Sequence, residues 1–245
     1  MQTITAYHRP ASLDEVISLL ERTEVTTTVV AGGTALMTVV LPEHTEVVDI
    51  QDAVAATVSV TGDRVTYGAM TRLTDLIEHA ATPPLLAELA RREGPNTLRN
   101  ASTIGGTVAE GDPESELIAA LLVHDAAVKV SAMDDEIPLT DLFADWSLLD
   151  RAVIEAVSVA VGGETAADRT GRTPADIPIV AAAGRVVPDG IRIALTGVAA
   201  TPVLVDSGDV ESLDPPADFR GSGEYRLELA KVLSARVVER LGGAS

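Results

Sequence analysis

Two segments of the sequence place a glycine pair between a polar or β-branched stretch and an apolar run. The first is 28–37, with Gly32-Gly33-Thr34 at its centre, and the second is 100–117, with Gly105-Gly106-Thr107. A glycine has no Cβ, so a ligand can approach its backbone closely and positive φ angles are available. Successive backbone N–H groups in such a loop form an anion-binding nest. The two segments are therefore candidates for cradling the two phosphates of one dinucleotide.

Neither segment matches the spaced-glycine fingerprint of the Rossmann dinucleotide-binding unit. From the residues alone, both glycine pairs can equally be tight turns that bind no ligand. The two interpretations stay open at this point.

The first glycine pair is predicted to follow a buried strand. Ser12 and Glu15 form a capping-box pattern at the start of an apolar helical stripe. The β-branched run 26–31 then predicts a strand that ends at Gly32, and 47–50 predicts another. This β-α-β-like order puts the glycine loop at the carboxyl end of a strand, where open α/β sheets tend to bind ligands.

The second glycine pair is reached through a hairpin, predicted for 57–67, and a turn cluster at 94–97. After it the chain turns at Asp112-Pro113 and enters an apolar helical run at 117–122. The sequence becomes small and polar over 162–171, which predicts a domain boundary near that position.

Composition restricts the class of protein. The chain has 245 residues, 46% of them hydrophobic and only 2% aromatic, so it can bury a core of Ala, Val, Leu and Ile. Its net charge is −19, which argues against binding to nucleic acids and to anionic membranes. The sequence lacks cysteine, so disulfides, thiolate metal sites and iron–sulfur clusters are excluded within it.

No signal peptide, metal site or general acid–base pair is predicted. The N-terminus lacks a basic region followed by an apolar one, and no apolar run reaches the ~20 residues of a membrane span, so we expect a cytoplasmic protein. The four histidines have no metal-binding spacing. They are His8, His44, His79 and His124.

Four stretches in this order resemble the FAD-binding (medium) subunit of the molybdenum hydroxylases, the family of the carbon monoxide dehydrogenase and xanthine dehydrogenase types. They are the entry 7–13, the first loop Ala31-Gly32-Gly33-Thr34, the second loop 98–106 with Asp112-Pro113, and the C-terminal motifs 172–180 and 192–199. Together they cover nearly the whole chain.

The resemblance implies an α+β fold. A two-subdomain FAD-binding domain of the PCMH type would span 1–161, with subdomains of about 1–52 and 53–161. A smaller C-terminal α+β domain with an antiparallel sheet would span 162–245.

The resemblance also implies a role in electron transfer. In this family electrons pass from a molybdopterin large subunit, through a 2Fe-2S small subunit, to FAD on the medium subunit and then to an external acceptor. The absence of cysteine fits this division, because the clusters would lie on another chain.

Carried over from the family, the FAD contacts fall on two loops and one carboxylate. The first loop would contact the pyrophosphate and ribityl chain, the second would line the flavin, and Glu116 would accept hydrogen bonds from ribityl or ribose hydroxyls. The set is Val30, Ala31, Gly32, Gly33, Thr34, Ala35, Leu36, Asn100, Thr103, Ile104, Gly105, Gly106, Thr107 and Glu116.

The chain departs from the family pattern at several positions. Ala35, Thr107 and Glu116 stand where Asp or Ser, Asn, and Asp are common, and 145–151 lacks the usual Tyr-Arg-rich pattern of residues that pack on the flavin in some relatives. These departures favour an alternative, a flavin-free structural or assembly subunit. A free-standing flavoprotein oxidase is a third possibility, weakened by the lack of an evident base.

Overall fold

The fold was analysed in a computed structural model, which describes residues 4–36, 40–171, 173, 176–205 and 209–242. Its contacts divide the chain into two compact units. The first comprises Met1–Leu76, Pro95–Glu110 and Ala127–Ser158, and the second comprises Ile77–Gly94, Gly111–Ala126 and Val159–Ser245. The predicted boundary at 161 stays a prediction, since these units are discontinuous in sequence.

Runs of strands and runs of helices follow one another along the chain. In order they are β1 (Ile4–His8), α1 (Leu13–Leu20), β2 (Thr26–Val30), β3 (Thr45–Asp49), β4 (Val58–Thr61), β5 (Arg64–Gly68), α2 (Leu73–Glu78), α3 (Pro84–Ala90), α4 (Asn96–Arg99), α5 (Ile104–Glu110), α6 (Glu116–Val123), β6 (Ala127–Val130), β7 (Ile137–Pro138), α7 (Leu139–Ala144), the 3₁₀ helix Trp146–Leu149, β8 (Ile154–Ala160), β9 (Thr165–Arg169), β10 (Ala181–Val187), β11 (Gly190–Thr196), β12 (Val203–Val205), the 3₁₀ helix Asp209–Ser212 and α8 (Gly223–Gly242).

The first unit contains two sheets. A parallel sheet has the order β1-β3-β2, and a second sheet has the order β4-β5-β8-β6-β7. The predicted cap of α1 is confirmed, because the Ser12 hydroxyl accepts from the Glu15 N–H. The predicted hairpin is also confirmed, with Val58 to Thr61 paired antiparallel to Arg64 to Tyr67.

The second unit is built on an antiparallel sheet of order β12-β11-β10-β9, against which α8 packs. Helix and sheet approach so closely at Gly184 that a Cβ there would lie 2.4 Å from Val237 Cγ1. Helix α6 is buried along its whole length in the same unit. Arg226, only 2% exposed, donates to the Gly197 carbonyl and the Asp218 carboxylate. The predicted antiparallel C-terminal sheet is therefore present.

Two predictions need comment. The polar stretch 162–171 contains a strand, β9, because Thr165–Arg169 pairs with β10. Within the predicted C-terminal motif, Arg172, Pro174 and Ala175 lie outside the described residues. Among the described residues, no helix has the length and apolar character that crossing a bilayer requires.

Candidate functional site: a cavity beside two glycine segments

The first glycine loop follows the carboxyl end of β2. Gly33 has a φ of +74°, a left-handed conformation that favours glycine. Gly32 lies against the second loop, since a Cβ on it would be 1.9 Å from the Ala101 carbonyl oxygen. The Ser102 hydroxyl donates to the Thr34 hydroxyl oxygen at 3.1 Å. The two glycine segments are therefore in direct contact within the first unit.

The backbone N–H groups of the first loop are open. Among the described residues, no hydrogen bond is donated by the N–H of Ala31, Gly32, Gly33 or Thr34. Four consecutive N–H groups in a turn with one left-handed residue are suited to an anion such as a phosphate. The nest predicted for this loop therefore has free donors.

The second glycine pair has a different structure from the predicted loop. It lies inside helix α5, and its N–H groups are satisfied within the protein. Ile104 donates to the Thr71 carbonyl at 2.9 Å, Gly105 to the Ala69 carbonyl at 3.0 Å, and Gly106 to the Thr103 hydroxyl at 3.1 Å. The prediction of an anion nest at this position was wrong, because helix formation and capping use these donors.

Close packing explains the glycine at 105. A Cβ there would lie 2.5 Å from the Ala69 Cβ, so any larger residue would push α5 away from the segment after β5. The Thr103 hydroxyl keeps its own proton available while it accepts from Gly106. The predicted role of Thr103 as a donor is compatible with this arrangement.

A cavity of about 370 Å³ lies beside the two glycine segments. This volume falls within the range of roughly 300–1,000 Å³ that is usual for small-molecule sites. All the lining residues belong to the first unit. They are Thr28, Val29, Val30, Ala31, Gly32, Gly33, Thr34, Ala35, Leu36, Ile50, Ala69, Ser102, Thr103, Gly105, Gly106, Thr107, Ala109, Glu110, Leu149, Ala152, Val153 and Ile154.

Eleven of the fourteen predicted contact residues line this cavity: Val30 to Leu36, Thr103, Gly105, Gly106 and Thr107. The other three do not. Asn100 accepts a hydrogen bond from the Thr74 hydroxyl at 2.7 Å, and Ile104 is fully buried. Glu116 lies in the second unit, with carboxylate oxygens 2.7 Å from Arg92 and 3.1 Å from Arg169. Their contacts with FAD stay predictions.

Several lining residues were not predicted from the sequence. Ala69 follows β5 directly, Leu149 ends the 3₁₀ helix after α7, and Ala152 to Ile154 lead into β8 and include its first residue. The only sequence signal for Leu149 and Ala152 to Ile154 was that residues near 145–151 pack on the flavin in some relatives. Ala69 carries no motif, and only its contact with Gly105 reveals it.

Tyr7, the first residue of the entry motif 7–13, links two strands of the sheet that precedes the first loop. The Tyr7 hydroxyl donates to the Asp49 carboxylate, which is fully buried at the end of β3. Asp49 also accepts from the Gln51 N–H at 3.0 Å. The hydrogen bond to Asp49 is the main reason why the pKa of Tyr7 is raised. The motif thus joins β1 to β3 near the strand ends that precede the cavity.

Comparison with known proteins identifies the family. The family model described as the FAD binding domain in molybdopterin dehydrogenase matches residues 2–160. The chain belongs to this family. It is therefore an FAD-binding protein of the medium-subunit type and a subunit of an oxidoreductase. Membership argues against the flavin-free alternative.

Relatives of this FAD-binding protein align with it over nearly the full length of both chains. The carbon monoxide dehydrogenase medium chain of Afipia carboxidovorans is 29% identical over 276 aligned positions, covering 96% of this chain and 95% of the relative. The uncharacterized protein YgfM of Escherichia coli K12 is 28% identical, covering 95% and 94%. The structure of carbon monoxide dehydrogenase from Hydrogenophaga pseudoflava shares the fold, with a TM-score of 0.86, 24% identity and 99% coverage of both chains.

The residues present fit the cofactor of this family. The open N–H groups of Ala31 to Thr34 match the pyrophosphate of a dinucleotide, and the mostly apolar cavity beside them matches a flat aromatic ring. Bound FAD supplies reversible two-electron chemistry, and the protein supplies position and electrostatics.

Proposed function

We propose that this chain is the flavin subunit of a heteromeric molybdenum hydroxylase. Electrons would reach its FAD from iron–sulfur clusters on a 2Fe-2S small subunit, after substrate oxidation on a molybdopterin large subunit, and would leave to an external acceptor. The observation that carries the proposal is the row of open N–H groups at Ala31 to Thr34, placed at the carboxyl end of a parallel strand beside the cavity.

Each part of the site has a proposed role. The backbone of Ala31 to Thr34 would bind the pyrophosphate, and Gly32 allows this loop to press on the second segment. Thr103, Gly106 and Thr107 would line the flavin, with the Thr103 hydroxyl as a donor. Asn100, Ile104 and Glu116 would contribute to FAD binding from outside the cavity wall. A cytoplasmic location stays a prediction.

The absence of cysteine from this sequence supports an electron-relay role, in which this chain holds the flavin and not the clusters. These 245 residues contain no cysteine to hold a cluster, so an electron donor of the iron–sulfur type would lie outside them. The carbon monoxide dehydrogenase and nicotine 6-hydroxylase relatives are named as medium chains or subunits, which fits such an assembly.

The test is to purify the chain with an affinity tag from its own cells and to measure iron, molybdenum and FAD per chain. We expect all three in fixed ratios in one complex that stays together during gel filtration. The FAD should be reduced when a substrate of the complex is added. A chain that contains FAD but elutes alone, free of iron and molybdenum, would contradict the proposed partners. A colourless chain that takes up no added FAD would contradict the proposed site.

A further inference from the structure

The segment that leads into the cavity wall carries an exposed aromatic face. Trp146, the sole tryptophan of the sequence, begins the 3₁₀ helix Trp146–Leu149 and is 39% exposed. Its ring packs on Phe143 with ring centroids 5.3 Å apart. Three residues later in the same 3₁₀ helix, Leu149 lines the cavity. Trp146 therefore marks a surface that is one helical turn from the proposed flavin site.

The Trp146 surface is held in a fixed shape. The Asp145 carboxylate accepts from the Ser147 N–H at 3.0 Å and from the Ser147 hydroxyl at 2.6 Å. These bonds cap the 3₁₀ helix and lower the pKa of Asp145, so its charge is kept. An aromatic side chain on a preorganised turn loses little conformational entropy on binding, as is usual for anchor residues at interfaces.

The surroundings of Trp146 are strongly acidic. Residues 134–150 include six exposed carboxylates: Asp134, Asp135, Glu136, Asp141, Asp145 and Asp150. Over the same range the sequence has no lysine or arginine, and the nearest cations along the chain are Lys129 and Arg151. The Lys129 ammonium donates to the carbonyls of Met133 and Asp134, which occupies it within the hairpin. Glu136 is partly offset, because the Ser158 hydroxyl that donates to it at 2.6 Å accepts from Arg64 at 2.8 Å. The aromatic face thus belongs to a segment with an excess of negative charge.

We infer that the face formed by α7 and the Trp146–Leu149 helix docks a protein partner that presents a basic, Lys- or Arg-rich surface. Charge complementarity selects this occupant, because an acidic border attracts cations and steers their approach. A guanidinium or ammonium group over the exposed Trp146 ring adds a cation–π contact. Nucleic acids, anionic membranes and a second copy of this chain, which carries a net charge of −19, are all repelled.

The inference rests on the proposed function, since a partner that exchanges electrons with FAD has to approach the cavity. It adds the surface on which the partner docks, formed by α7 and the Trp146–Leu149 helix, and the basic character of the partner's surface. The polypeptide between Trp146 and Leu149 would be the part of the chain that separates the bound partner from the flavin site.

The experiment uses cytochrome c, a basic protein, as the probe in calorimetric titrations of the full chain at low salt. The double variant Asp141→Asn with Asp150→Asn removes two charges from the face. The control, Asp63→Asn with Asp75→Asn, removes two equally exposed charges from the β4–β5 turn and from α2. Asp145 is left unchanged because it caps the helix. Melting curves establish that each variant is folded.

We expect the first pair to weaken binding roughly fivefold to tenfold and the control pair less than about twofold. Trp146→Ala should weaken binding roughly threefold, and Trp146→Phe should restore most of the loss. Equal losses for both pairs, or unchanged affinity in Trp146→Ala, would overturn the inference. The titrations are run without and with added FAD. A difference between the pairs that persists in a chain unable to take up FAD would contradict the proposed function and leave the docking face standing.

Discussion

Replacing Gly32 by alanine should separate the two glycine segments and disrupt FAD binding. The added Cβ would lie 1.9 Å from the Ala101 carbonyl oxygen, whereas real Cβ atoms essentially never approach closer than 3.0 Å, so the backbones must move apart by about 1.1 Å (3.0 minus 1.9). That shift would stretch the 3.1 Å Ser102–Thr34 hydrogen bond past its useful range. Loss of one hydrogen bond from the displaced loop to a charged phosphate would cost about 1.5–3 kcal/mol, which is a factor of roughly 10 to 150 in the dissociation constant. We therefore expect the Kd for FAD to rise about a hundredfold.

Gly33→Ala is the matched control, because Gly33 is the neighbouring residue and its substitution destabilises the loop for a different reason. Its Cβ would meet only Val30 Cγ1 at 3.8 Å, and the cost comes from the left-handed φ of +74°. Such strain costs about 1–2 kcal/mol, part of which appears in unfolding and part in binding. FAD affinity is measured by quenching of flavin fluorescence, together with the melting temperature. If Gly32→Ala bound FAD as tightly as Gly33→Ala, the contact between the loops would not position the cofactor.

Two further predictions concern buried titratable groups with opposite effects on stability. Glu93 accepts hydrogen bonds from the Ser115 hydroxyl and the Leu117 N–H, both at 2.9 Å. Although the residue keeps some exposed surface, desolvation of its carboxyl group raises its pKa from 4.5 to about 7. Ionisation should therefore lower the free energy of unfolding by up to about 3 kcal/mol as the pH rises from 4.5 to 7. His124 is 1% exposed, and its Nδ1 lies 2.8 Å from the Ala160 carbonyl oxygen. Burial lowers the pKa of His124 from 6.5 to about 4. The free energy of unfolding should therefore fall by a similar amount as the pH drops from 6.5 to 4. The slopes oppose each other between about pH 4.5 and 6.5. Relative to the wild type, urea unfolding should therefore show stability changing more positively with pH in Glu93→Gln and more negatively with pH in His124→Gln; parallel profiles would contradict the assignment.

The sequence predicted best those elements whose signal is local. The Ser12 cap, the β2 strand and the Arg64 hairpin strand follow from capping chemistry and from β-branched or alternating patterns within a few residues. Helix α5 was missed because glycines at 105 and 106 have poor helix propensity. Tertiary contacts override it there, since the Thr103 cap and the close fit to Ala69 fix the helical geometry.

No local sequence signal indicated which segments of the chain belong to which of the two units. Residues 77–94 and 111–126 belong with the C-terminal sheet, although they lie far from it in sequence. Glu116 shows the consequence, because its ion pairs with Arg92 and Arg169 join segments separated by 24 and 53 positions (116 minus 92 and 169 minus 116). A capping and charge pattern at Glu116 gives no indication of either partner, so its role could be carried over only from the family.

The two glycine pairs look alike in sequence and meet different physical needs. Gly32 and Gly33 serve a loop whose N–H groups stay open, whereas Gly105 and Gly106 serve a helix whose N–H groups are all bonded within the protein. Under the proposed function, phosphate recognition would therefore belong to the first pair alone. The second pair shapes the wall, which depends on side-chain size and not on donors. It follows that Gly106→Ala, whose Cβ would lie 3.0 Å from the Thr103 hydroxyl oxygen, should disturb the fit of the ring while leaving the pyrophosphate contacts intact.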